Sequence, residues 1–188
     1  MKNFPFALLT LVSLSAVAQD KVNPIIKQGS KLTYVVHTQG QDFDFFVSID
    51  SVSTDFLKLG WEISGLGSGG WIMKKNSLAK ATNVYWDEPA AGLDTELPDD
   101  QSVITLSNFQ WDGIQKEKKT ILDGQVYTVK APTEQQLLKL GGKALDAILL
   151  ESENGATRFW ILNNPAFPFV VRLEGNPKNI DLDLRSIN

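Results

Sequence analysis

The chain has 188 residues, 43% hydrophobic and 21% charged, with one histidine and no cysteine. Its formal net charge of -4, spread without a basic block, argues against a phosphate-tracking nucleic-acid binder. Lack of cysteine excludes thiol catalysis, cysteine metal sites and lipid attachment through a cysteine, and a chain of this length suits one domain with a sizeable core.

Lys2 supplies a positive n-region, Phe4 to Leu14 an apolar run, and Ala16-Val17-Ala18 a small-x-small cleavage site before Gln19. The run is shorter than the roughly 20 residues a transmembrane helix needs. The expectation is a signal peptide over residues 1–18 and a mature domain over residues 19–188, periplasmic or secreted and not membrane-spanning. A buried N-terminal helix is the plainer alternative.

Leu32, Tyr34 and Val36 alternate with Thr33, Val35 and His37; Phe43, Phe45, Val47 and Ile49 alternate with Asp44, Phe46, Ser48 and Asp50; Leu57, Leu59, Trp61 and Ile63 alternate with Lys58, Gly60, Glu62 and Ser64. A period of two is the signature of a strand with one buried face. With short polar connectors between them, residues 31–64 are predicted to form a three-stranded meander.

The middle is less regular. Gly65 to Gly70 reads as a flexible glycine-rich turn, residues 75–81 as one or two helical turns, and residues 85–100 as a long acidic surface loop. Ile121 to Lys130 holds a strand, with Asp123-Gly124 as a turn near its start. Thr133 with Gln136 is a capping-box pattern and Gly141-Gly142 can end a helix, which predicts about two helical turns there.

Leu145 to Glu151, Arg158 to Leu162, Phe167 to Glu174 and Ile180 to Ile187 read as four more strands, with Asn154-Gly155 as a hairpin turn. About eight to ten strands joined by short connectors imply antiparallel pairing. Twist and exposed edges then favour a mainly β fold: a curved antiparallel sheet or partly open barrel with one or two short helices. A β-sandwich is the alternative.

Each chemical candidate has a plainer reading. His37 is the one potential general base, and also an ordinary half-exposed residue at a strand end. Asp87, Glu88, Asp94, Glu96, Asp99 and Asp100 crowd one segment beside Tyr85 and Trp86, as in a carboxylate-based hydrolase or a weak calcium loop. They share one loop, however, so a solvated acidic surface explains them as well. No Gly-x-Ser-x-Gly elbow or P-loop accompanies Gly67-Ser68-Gly69-Gly70.

Aromatic residues are the stronger signal. Trp61 is in phase with Leu57, Leu59 and Ile63 and belongs in the core, whereas Trp160 is out of phase with Phe159 and Ile161. If Phe46 and Trp160 share a face, the sheet carries apolar residues on both sides. That requires either a covered back or a greasy ligand. Phe46, Trp71, Tyr85, Trp86, Trp111 and Trp160 are the candidate ligand-contacting residues, with core packing as the alternative. No catalytic residue, metal or cofactor is expected.

The run Phe159-Trp160-Ile161-Leu162, followed by Pro165-Ala166-Phe167-Pro168-Phe169-Val170-Val171, together with the signal segment and early meander, resembles small uncharacterised bacterial periplasmic proteins. In these a curved antiparallel sheet wraps a helix, and the lipoprotein-carrier half-barrel is the best-known example. The resemblance covers most of the mature chain and brings no catalytic motif. It implies an envelope protein that binds an acyl chain or another protein. Three classes therefore stay open: a non-catalytic binding module for an apolar ligand, a structural or protein-interaction domain of the envelope, and a hydrolase working through the acidic loop.

Overall fold

The computed structural model of the chain describes residues 21–188, so the expected signal peptide lies outside the described residues. β1 (Lys31–Thr38), β2 (Gln41–Val52), β3 (Phe56–Ile63) and β4 (Gly67–Lys74) form a consecutive antiparallel meander. An irregular insertion follows: α1 (Lys75–Lys80), β5 (Asn83–Val84), β6 (Asp94–Glu96), β7 (Gln101–Ser102) and α2 (Asn108–Glu117). The chain then runs through β8 (Lys119–Leu122), β9 (Gln125–Lys130), a 3-10 turn (Glu134–Gln136), β10 (Lys139–Leu140), β11 (Lys143–Ala144), β12 (Ala147–Ser152), β13 (Arg158–Leu162), β14 (Val170–Glu174) and β15 (Ile180–Ile187).

Eleven of these strands make one sheet, in the order β6-β4-β3-β2-β1-β15-β14-β13-β12-β9-β8. The last strand lies beside the first, joining the two meanders: Val36 faces Leu182 and Val35 faces Asp183. The sheet is antiparallel except at one edge, where β6 runs parallel to β4.

The period-two pattern places one face inward. Leu32, Tyr34 and Val36 of β1, Phe45, Val47 and Ile49 of β2, and Leu57, Leu59, Trp61 and Ile63 of β3 are all buried. Burying each such side chain contributes about 1.5–3 kcal/mol. The two ends of the sheet also come round towards each other. Nine strand steps separate β4 from β8, which in a flat sheet would span about 43 Å at ~4.8 Å per step. Yet Trp71 of β4 and Leu122 of β8 line one cavity of about 610 Å³. The sheet is therefore strongly curled, and it does not close, because β6 and β8 remain unpaired with each other.

Several expectations need correction. Gly67 to Gly70 is the first half of β4 rather than a flexible turn. A Cβ at Gly69 would come 2.6 Å from the Leu93 carbonyl, so the missing side chain is what admits the insertion to the sheet edge. The supposed helix after Thr133 is a single 3-10 turn: the Gln136 side chain accepts from the Thr133 N–H at 2.9 Å, but Leu137 is already extended. Gly141 and Gly142, both with positive φ (57° and 80°), turn the β10–β11 hairpin instead of ending a helix. The segment 85–100 is partly paired, through β6, and α2 arises where no helix was expected.

The convex face is covered over β12–β14. The Trp160 indole donates to the Gln136 carbonyl at 3.0 Å, and Arg172 sits 5.6 Å from the centre of the Trp160 ring. Val22 donates to Ala144 at 2.7 Å and accepts from Asp146 at 2.9 Å, pinning the start of the described chain on the β10–β11 hairpin.

Tyr34 ties the two meanders together from inside. It is fully buried, and its hydroxyl donates to the Val170 carbonyl at 3.0 Å, from β1 past β15 to β14. Burial pushes its phenol well above the ordinary tyrosine range. The folded state thus keeps this proton after the unfolded chain releases it near pH ~10, so stability is full below that pH and falls as pH rises past it. Tyr34→Phe is expected to cost about 1 kcal/mol in urea denaturation at pH ~7 and to make the alkaline decline shallower. An unchanged midpoint at neutral pH, with an unchanged alkaline slope, would contradict this role.

Candidate ligand cavity

The concave face holds a cavity of about 610 Å³. Its floor and sides come from strand residues that are mutually in phase: Val36, Phe45 and Trp71 from the first meander, and Phe159, Leu173 and Leu182 from the second. The opposite wall comes from two stretches of the insertion, Val84 to Pro89 and Ser102 to Leu106. The parallel pairing of β5 with β7 holds these stretches side by side.

One aspartate fixes that wall. Asp123 occupies the β8–β9 turn with φ at 49°. Its backbone N–H donates to Thr82 at 3.0 Å. Its carboxylate accepts from the Val84 N–H at 2.8 Å and from the Trp86 indole at 2.8 Å. The free edge of the sheet and the cavity wall are thereby joined through a single side chain, and the Trp86 ring is held in a set orientation. A charged acceptor makes such bonds stronger than neutral ones.

Aromatic contacts organise the interior. Trp71 packs edge-on to Phe45 at 6.0 Å between ring centres and lies 5.9 Å from Trp61. The indole N–H groups of Trp61 and Trp71 are buried and find no acceptor among the described residues. An unpaired buried donor costs about 1–3 kcal/mol, and the Trp71 ring that carries one lines the cavity. Tyr85 also lines it, its phenol pushed upward first by burial and then by the Asp87 carboxylate.

Of the six candidate ligand residues, Trp71, Tyr85 and Trp86 are brought together on the cavity wall. Phe46 and Trp160 share the opposite face. Phe46 pairs across to Thr33 and Glu62 and borders a second groove, of about 570 Å³, with Lys31, Ser48, Asp50 and Trp61. Trp160 is buried under the 3-10 turn. Trp111 is half-buried on α2, against the core and away from the cavity lining. Residues that sequence reasoning did not single out for the site include Val36, Phe43, Leu173 and Ile180. Their in-phase alternation was the available signal.

The acidic segment divides. Asp94 pairs with Lys58 and Glu96 with Lys74, both at 2.6 Å, and the hydrogen bond that Lys58 donates to Asp94 pushes the lysine's pKa above its ordinary range. Asp99 accepts from Asn76 and Asp100 from Asn83. This arrangement differs from two carboxylates facing each other across a cleft. Asp87 and Glu88 alone of the six line the cavity, and among the described residues neither forms a salt bridge. His37 lies outside the cavity lining, 2.7 Å from Asp42 and 3.6 Å from Asp183. Among the described residues no group of three metal-ligating side chains is assembled, and no helix is long and apolar enough to cross a membrane.

Comparison of the chain with protein-family models, curated proteins and solved structures found no match.

If Asp123 is the latch of the cavity wall, Asp123→Ala frees the Val84 amide and the Trp86 indole together. Hydrogen exchange at Val84 is expected to speed up by about tenfold or more, while amides in β1–β3 keep their protection. Unchanged exchange at Val84 would remove Asp123 from this role.

Proposed function

We propose that the protein is a non-catalytic binding module of the cell envelope or extracellular space that takes an apolar or amphipathic small molecule into its concave face. The observation that carries this reading is the cavity of about 610 Å³ with its aromatic and aliphatic walls. The volume lies within the ~300–1,000 Å³ range of ligand sites, and its walls are mostly aromatic and aliphatic, unlike those of the groove of about 570 Å³ on the other face. The export signal expected from Lys2 to Ala18 supports the compartment.

The test is native mass spectrometry of protein purified gently from its own host, set beside Val36→Phe. Val36 is buried and lines the cavity. In a filled core the larger ring would cost about 1–3 kcal/mol through overpacking. Projecting into the cavity, it is expected to cost less than ~1 kcal/mol and to abolish a solvent-extractable adduct of the wild-type protein. Repeated adduct-free wild-type spectra, or an adduct that survives in Val36→Phe, would overturn the reading.

A further inference from the structure

The cavity opens at one end of the sheet, by the β1–β2 and β3–β4 turns. Gln39 and Leu66 from those turns line it there and are exposed, as are Asp87 and Glu88 from the insertion. Among the described residues these two carboxylates are the only charged side chains lining the cavity, and no lysine, arginine or histidine accompanies them there. A site built for a fatty-acid carboxylate or a phosphate needs a compensating cation or an array of donors at the head group. Here an anionic head would meet two like charges at the entrance. The same segment also presents Tyr85 and Trp86, and Asp123 fixes the Trp86 ring. Aromatic faces beside carboxylates are the usual surroundings of a bound ammonium group.

Building on the proposed binding role, we infer that the cavity selects its amphiphile by head charge: an apolar tail inside, a cationic ammonium-type head at Asp87, Glu88, Tyr85 and Trp86. Anionic heads are disfavoured at the same mouth. The selectivity is local to the rim and additional to the overall negative charge of the chain, which repels anions at longer range and is screened by salt.

The experiment titrates the purified chain with three probes sharing one tail, decyltrimethylammonium, decanol and decanoate, the two ions below their micelle concentrations and the alcohol below its solubility limit, at pH ~8, where the carboxylate is ionised. Calorimetry and intrinsic tryptophan fluorescence report binding. The ammonium probe is expected to bind about tenfold or more tighter than decanoate at low ionic strength, with decanol between. That gap should narrow severalfold in Asp87→Asn/Glu88→Gln. It should persist in Asp112→Asn/Glu117→Gln, which removes the same charge from α2 residues outside the cavity lining. Decanoate binding as tightly as the ammonium probe would overturn head-charge selection while leaving the cavity's binding role intact. A gap closed equally by the α2 pair would also overturn it. Failure of all three probes to bind would refute the binding role itself.

Discussion

Everything described here depends on the curl of one sheet and on the insertion that holds its two sides together. Twist accumulates along an antiparallel sheet of this width, and an open edge is costly to leave unprotected. Residues 75–118 meet both needs by spanning from β4 to β8. The Ser107 hydroxyl donates to the Ala81 carbonyl at 2.7 Å, joining the end of α1 to the N-cap of α2. The Gln110 side chain then donates to Ile121 of the edge strand β8 at 3.0 Å. Asp123 completes the connection from the sheet side. Without these links the concave face would be a trough; with them it is a walled cavity.

The same links explain why the interior is not simply filled. The first meander contributes Trp71 with Phe45 and Trp61 packed on it, and the second contributes Tyr127 and Phe159, edge-on at 5.3 Å. Each cluster packs within its own half. The insertion stands across from both, as extended chain rather than as a helix seated in the hollow: Val84 to Pro89 and Ser102 to Leu106 line the space, while α1 and α2 do not.

Much of the sheet was legible in the sequence because strand periodicity is a local property. Leu32-Tyr34-Val36 and Leu57-Leu59-Trp61-Ile63 announce their buried face without reference to anything distant. Asp123-Gly124 and Asn154-Gly155 announce their turns, with Gly124 and Gly155 at positive φ. What stayed hidden is what distant neighbours decide. Gly69 and Gly70 look like flexible chain until the Leu93 carbonyl and the Asp94 side chain are placed against them. Ser107 with Gln110 and Thr133 with Gln136 are the same capping pattern, but the first makes both reciprocal bonds and the second only that from the Thr133 N–H to the Gln136 side chain. Only the first continues into a helix, because Ile114 finds a buried place beside β8 while Lys139 and Leu140 pair with β11. Aromatic identity also misled: Phe46 and Trp160 are as large and apolar as Phe45 and Trp71, but one step of register puts them on the convex face.

The central claim is geometric, and the chain's lack of cysteine makes it accessible to paired spin labels. Lys74 ends β4 and Lys119 begins β8, and nine antiparallel steps between them place both at the same end of the sheet. Labels on Lys74→Cys/Lys119→Cys, measured by double electron–electron resonance, should give one narrow distance no more than about half the ~43 Å of a flat sheet. A distance near that flat value, or a broad spread reaching it, would mean that the two sides do not meet and that the cavity does not exist.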